Sequence, residues 1–115
     1  MKIVMIAAVI LAAAGLTACV DPNAYHPPEG QKVYISQRTF TAFKEYQQEI
    51  GSTHPGAFAV SKSGRNSFYY YCQESACISG PSYGQVAVRR CNAWGDPCYV
   101  FATNADVHYE YEVLP

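Results

Sequence analysis

The sequence lacks the features that define several large classes of protein. It has no basic excess: eight Lys and Arg stand against nine Asp and Glu, for a net charge of −1. We therefore expect no nucleic-acid partner, because nothing in the balance attracts phosphates. It has no glycine-rich phosphate loop, which argues against a nucleotide site. Its one long apolar run, counted to Ala18, has about 16 residues, fewer than the roughly 20 that span a bilayer as a helix.

That apolar run has the form of a secretory signal. Met1 and Lys2 give a short positive start, an uncharged apolar stretch follows, and small residues precede Cys19. These three features together are typical of a cleaved signal peptide. We predict that residues 1–18 are removed. An uncleaved membrane anchor is the alternative.

The four residues that close the run, Leu16-Thr17-Ala18-Cys19, resemble the lipobox of bacterial lipoproteins. In that family the cysteine thiol accepts diacylglycerol. The resemblance therefore implies a palmitate-bearing lipid on Cys19 and attachment of the mature chain to a membrane. The residue after the cysteine, Val20, is not the aspartate that the family uses for inner-membrane retention. This favours the outer membrane, with the protein facing the periplasm. The resemblance covers residues 1–19 only.

The rest of the chain divides into a linker and one domain. Residues 19–32 contain three prolines and little apolar content, which predicts a lipidated, largely extended and disordered tether. Residues 33–115 are of a length suited to a single small domain.

Four cysteines remain when Cys19 is set aside, and they indicate an oxidising compartment. They are Cys72, Cys77, Cys91 and Cys98. Disulfides persist in exported proteins and supplement the small core of a short domain. Four cysteines allow three pairings. We favour Cys72–Cys77 and Cys91–Cys98, because each pair closes a short loop around a turn. Zinc is the competing interpretation, but these spacings are loose for a zinc ribbon.

Hydrophobic periodicity predicts an α+β fold. Ser36 and the apolar stripe to Ile50 indicate a first helix, and Ser82 and the stripe to Trp94 a second one. Strand signals occur at residues 57–60, 67–72, 98–103 and 107–113. The order helix, hairpin, helix, hairpin predicts an antiparallel sheet of about four strands with both helices on one face. We expect Trp94 to be buried between the second helix and the sheet.

Residues 57–107 also resemble a small cysteine-containing module of exported proteins in Gram-negative bacteria. The matching motifs are Ser61-Lys62-Ser63-Gly64, Tyr69-Tyr70-Tyr71-Cys72 and Gly95-Asp96-Pro97-Cys98. The resemblance implies a strand–strand–helix–strand–strand order and supports the same disulfide pairing. It implies no catalytic residues, because no activity is established for such modules.

The candidate functional residues point to binding. Tyrosine offers a rigid ring with a polar tip and is enriched at recognition surfaces. The candidates are Tyr69, Tyr70, Tyr71 and Trp94, although most of the ten tyrosines are expected in the core. His108 and Glu110 alternate onto one strand face, where an acid–base or metal-binding pair is possible but a solvent-exposed pair is the favoured interpretation.

We accordingly expect a non-enzymatic lipoprotein without cofactor or metal, whose domain binds another envelope component, protein or glycan. The alternative is an exported inhibitor that blocks a hydrolase with the loop Gln73 to Ala76.

Overall fold

The structure is a computed structural model that describes residues 24–51, 54–72 and 83–115. The predicted signal peptide, Cys19, Cys77 and the loop Gln73 to Ala76 lie outside these residues and stay predictions. The elements in chain order are β1 (Val33–Ile35), α1 (Gln37–Ile50), β2 (Gly56–Ser61), β3 (Ser67–Tyr71), α2 (Tyr83–Asn92), β4 (Cys98–Thr103), β5 (Asp106–Val107) and β6 (Tyr111–Val113).

The predicted α+β class and the four-stranded antiparallel sheet are confirmed. The strands of this sheet lie in the order β3-β2-β4-β5, so the two predicted hairpins are joined through the central pair β2 and β4. Phe58 of β2 pairs with Tyr69 of β3 and with Ala102 of β4. All six residues of β2 are buried, which requires cover on both faces of the sheet.

The first helix forms where its capping and periodicity predict. The Thr39 backbone N–H donates to the Ser36 side chain at 3.1 Å, which satisfies one of the unpaired donors of the first turn. Gly51, at φ 55°, ends the helix, and this left-handed conformation is one that glycine adopts without strain. The helix start is held against the β2–β3 turn, because the Gly64 carbonyl accepts from the Ser36 N–H and the Thr39 hydroxyl.

The prediction that both helices cover one face of the sheet is wrong. Phe58 and Val60 of β2 belong to the buried cluster that contains Phe43 of α1. Their neighbours Ala57 and Ala59 belong to a second cluster with α2. Because successive side chains of a strand point to opposite faces, α1 and α2 lie on opposite sides. The reason is visible in β2 itself, where apolar residues occupy both sets of alternate positions.

The structure also contains a second, two-stranded sheet, which was not predicted. β1 pairs in parallel with β6, with Val33 opposite Tyr111 and Ile35 opposite Val113. The predicted strand over residues 107–113 is therefore two strands in two sheets. The chain leaves the larger sheet at His108, whose backbone N–H still donates to the Phe101 carbonyl. It joins the smaller sheet at Glu110, whose backbone carbonyl accepts from the Val33 N–H.

One predicted disulfide is confirmed, between Cys91 and Cys98, with the two Cα atoms 6.0 Å apart. It joins the last turn of α2 to the first residue of β4. Cys72 is also disulfide-bonded, but its predicted partner Cys77 lies outside the described residues, so that pairing stays a prediction.

The predicted burial of Trp94 is wrong. Its side chain is 63% exposed. Helix α2 ends at Asn92, and the Trp94 and Gly95 N–H groups close successive turns onto the Cys91 and Asn92 carbonyls. Gly95 has φ 88°. Trp94 thus lies past the end of the helix, where helical periodicity no longer sets the direction of a side chain.

The segment before β1 contains no helix or strand at residues 24–32, but it is not fully detached. The Tyr25 ring meets the Tyr99 ring edge-on at 5.8 Å, and Pro27 is buried. The prediction of a disordered tether therefore does not hold at Tyr25 and Pro27, because their apolar groups find cover on the domain.

Candidate functional site

Two of the four candidate binding residues pack against the core of the domain. Tyr69 and Tyr71 lie on the α1 face of β3, and the Tyr69 ring stacks on Phe58 at 6.1 Å. Burial, with smaller contributions from Glu45 and Glu49, raises the pKa of Tyr69. The Tyr71 hydroxyl donates to the Glu49 carboxylate at 2.8 Å. Both rings are thus committed to contacts within the domain.

Tyr70 points to the opposite face and stays accessible. It is 39% exposed, and its ring lies 5.6 Å from the ring of Tyr83 at the start of α2. The two rings make a tilted contact within the range of favourable aromatic pairs. We refer to them as the Tyr70–Tyr83 pair. They adjoin the segment 73–82, which lies outside the described residues.

Trp94 lies at the other end of α2, where two turns meet. The Lys62 N–H donates to the Pro97 carbonyl at 2.7 Å, and the Ser63 N–H donates to the Asp96 carboxylate at 3.2 Å. Residues 62–66 and 93–97 are thereby joined, and the Cys91–Cys98 disulfide fixes the second turn at its base. We call these two turns, with the last turn of α2, the loop end.

The loop end is positively charged. It carries Lys62, Arg65, Arg89 and Arg90, and the one carboxylate among its residues is Asp96. The Ser63 hydrogen bonds outweigh burial and lower the pKa of Asp96, with a smaller contribution from Lys62. Cations in the last turn of a helix also interact well with its dipole, which explains Arg89 and Arg90 in part. It does not explain an exposed tryptophan beside them.

A cavity of about 370 Å³ opens beside the loop end, between residues 25–34 and the β2–β3 turn. Lys32 and Lys62 both line it, with the rings of Tyr25 and Tyr99, and none of its described lining residues is acidic. The Lys62 ammonium also lies 5.6 Å from the centre of the Tyr25 ring, a cation–π contact. The cavity therefore suits a small anionic group.

The three histidines do not assemble a catalytic arrangement among the described residues. A His108 ring nitrogen lies 2.8 Å from the Thr103 hydroxyl, and His54 contacts the Ile50 carbonyl. His26 is exposed in the N-terminal segment. His108 and Glu110 fall between β5 and β6, so strand alternation no longer places them on one face. No group of three side chains suited to a metal ion occurs in the described part of the chain.

One sequence motif of a known catalytic type was not identified from the sequence. Residues 80–84 are Gly-Pro-Ser-Tyr-Gly, which has the spacing of the Gly-x-Ser-x-Gly nucleophile turn. That turn works where a buried strand of a hydrolase sheet leads directly into a helix. Here α2 follows β3, an antiparallel strand that pairs with β2, and Ser82 lies outside the described residues. We assign it no catalytic role.

Comparison of the chain with family profiles, characterised proteins and solved structures found no significant match. Within residues 24–51, 54–72 and 83–115, neither helix has the length and hydropathy needed to cross a bilayer.

Proposed function

We propose that the protein is a lipid-anchored lipoprotein of the cell envelope, attached through Cys19 to the periplasmic side of the outer membrane. The tetrapeptide Leu16-Thr17-Ala18-Cys19 at the end of a short apolar run carries this proposal. The disulfide between Cys91 and Cys98 supports it, because such bonds persist in oxidising compartments. Metabolic labelling with a palmitate analogue should mark the wild-type protein and not Cys19→Ser. Label that survives the substitution contradicts the anchor.

The mature domain, in this proposal, is a non-enzymatic binding module for an envelope protein or glycan. The observation that carries it is the Tyr70–Tyr83 pair, two rings in tilted contact between β3 and the start of α2, of which Tyr70 is exposed and Tyr83 half-buried. Exposed tyrosines supply contact area at a low cost in side-chain entropy. The chain order β2, β3, α2, β4, β5 also supports the proposal that residues 57–107 form the cysteine-containing exported module.

The experiment compares two exposed tyrosines. A photo-reactive phenylalanine analogue replaces Tyr70 in one variant and Tyr34, which is 50% exposed on β1, in a matched control. In intact cells we expect a discrete crosslinked product from position 70 and none from position 34.

A second experiment tests for a glycan partner, because crosslinking to a glycan gives no discrete protein adduct. Isolated peptidoglycan should retain wild-type protein and release Tyr70→Ser, while Tyr34→Ser behaves as wild type. If both experiments fail to separate position 70 from position 34, the Tyr70–Tyr83 pair is not a binding surface.

A further inference from the structure

We propose that the loop end is a second membrane contact. Its basic side chains bind anionic phospholipid headgroups, and the Trp94 ring lies at the depth of those headgroups. The inference depends on the proposed anchor at Cys19 and adds an orientation to it. The loop end then faces the membrane, while the Tyr70–Tyr83 pair, at the opposite end of α2, faces away and stays open to a partner.

The course of the chain places the loop end close to the anchor. Tyr25 contacts this end through the Lys62 ammonium, which lies 5.6 Å from the centre of its ring. Tyr25 is six positions after Cys19 in the sequence, and a fully extended chain covers at most about 3.6 Å per position. The Tyr25 Cα is therefore held within about 22 Å of the Cα of Cys19, whatever path those residues take.

The side chains at this end fit a headgroup layer. Trp94 is the most exposed of the large hydrophobic residues among those described, and tryptophan prefers the interface between acyl chains and water. The loop end carries four cations, all exposed, against one carboxylate, Asp96; the cations are Lys62, Arg65, Arg89 and Arg90. Basic side chains near an anionic leaflet each favour binding, and a lipid chain plus a basic patch is a recurrent way to anchor a protein.

The cavity beside the loop end, which shares Lys62 with it, indicates the same ligand chemistry. It is lined by Lys32 and Lys62 and has no acidic residue among its described lining. Its volume of about 370 Å³ admits a phosphate-bearing headgroup. The charge, the exposed indole and the anchor distance therefore favour a phospholipid surface over a protein partner at this end.

The test uses the single tryptophan of the chain. The mature lipidated protein is reconstituted into vesicles of phosphatidylethanolamine and phosphatidylglycerol with brominated acyl chains, and into matched phosphatidylcholine vesicles. In the anionic vesicles we expect Trp94 emission to shift to the blue and to be quenched by bromine. In phosphatidylcholine we expect less quenching. High salt should remove most of this difference, because it screens exposed charges.

Two charge reversals provide the matched control. Arg89→Glu changes an exposed cation of the loop end, and Lys44→Glu makes the same change on α1. Arg89→Glu should shift the equilibrium away from the docked state by about fivefold or more, since one basic residue near the surface is worth about 1 kcal/mol. Lys44→Glu should leave the quenching unchanged.

The outcomes separate the docking from the anchor. If the protein floats with both kinds of vesicle but Trp94 stays open to a water-soluble quencher, the docking is wrong and the anchor stands. Equal quenching in both lipids overturns the assignment to anionic headgroups. Protection of Trp94 in native membranes but not in pure lipid assigns the loop end to a protein and overturns the proposal. If the protein does not float at all, the anchor fails, and the docking that depends on it falls too.

Discussion

The two faces of the four-stranded sheet are covered by side chains of very different size. On the α1 face the Phe43 ring lies 5.2 Å from Phe58 and 5.3 Å from Phe101, in edge-to-face contacts. On the α2 face the buried residues are alanines and cysteines: Ala57, Ala59, Ala87, Cys91 and Cys98. One face is thus stabilised by large buried rings, and the other by close approach and a covalent bond.

This difference assigns different roles to the faces. Hydrophobic stabilisation is proportional to the apolar area removed from water, so the α1 face should contribute most of it. Helix α2 has only 10 residues, too few for stability in isolation. Its disulfide ties its last turn to β4 and thereby fixes the turn that presents Trp94. Stability and presentation of a surface are therefore largely separate in this domain.

Removal of one ring from the α1 face should have the largest effect. Phe58 is fully buried, so Phe58→Ala should lower the free energy of unfolding by about 3–5 kcal/mol. Phe68 is half-buried on the α2 face and serves as the matched control. Denaturant unfolding of the mature protein measures both variants. An equal loss for Phe68→Ala would show that the two faces do not differ as described.

Loss of the Cys91–Cys98 bond should have the next largest effect. The double variant Cys91→Ala, Cys98→Ala should lower the free energy of unfolding by about 2.5 kcal/mol, the value expected from chain entropy for so short a loop. The variant is preferable to a reducing agent, because Cys72 is also disulfide-bonded. A midpoint equal to that of wild type would mean that α2 needs no covalent support.

Tyr46 should make the stability of the α1 face depend on alkaline pH. Its hydroxyl donates to the Asn104 carbonyl at 2.7 Å, and burial raises its pKa above the ordinary value. The unfolded chain loses this proton near pH 10 while the folded chain retains it, so stability is full below about pH 10 and falls as the pH rises further.

Tyr46→Phe tests this in two ways. At neutral pH it should cost about 1 kcal/mol for the lost hydrogen bond. Above about pH 10 its stability should fall less steeply than that of wild type, because one proton linkage is gone. The decline should not vanish, because burial also raises the pKa of Tyr99. Urea unfolding across this pH range measures the free energy of unfolding of both proteins. Parallel curves of this free energy against pH would contradict the linkage.

Local signals predicted the first helix, the hairpins and the Cys91–Cys98 bond, because each depends on residues close in sequence. The pairing of Val33 with Tyr111 joins the two ends of the domain, and a three-residue strand carries no local pattern that names a partner. The burial of β2 on both faces could have been predicted from the sequence, since Ala57-Phe58-Ala59-Val60 is apolar at every position. The burial of Trp94 was wrongly predicted because helical periodicity was extended past Asn92, where the helix ends.

The smallest expected effect on stability concerns Trp94. Because its side chain is 63% exposed, Trp94→Ala should change the free energy of unfolding by less than about 0.5 kcal/mol. Loss on the scale of the Phe58→Ala variant would place Trp94 in the core and remove the loop end as a candidate surface.

The accessibility of Trp94 in the folded protein tests the central claim most directly. Trp94 is the only tryptophan of the chain, so quenching of the folded mature protein by acrylamide, in neutral detergent micelles and without anionic lipid, reports on this residue alone. We predict emission typical of a water-exposed indole and a quenching constant close to that of the unfolded chain. Blue-shifted emission that acrylamide does not reach would contradict the account.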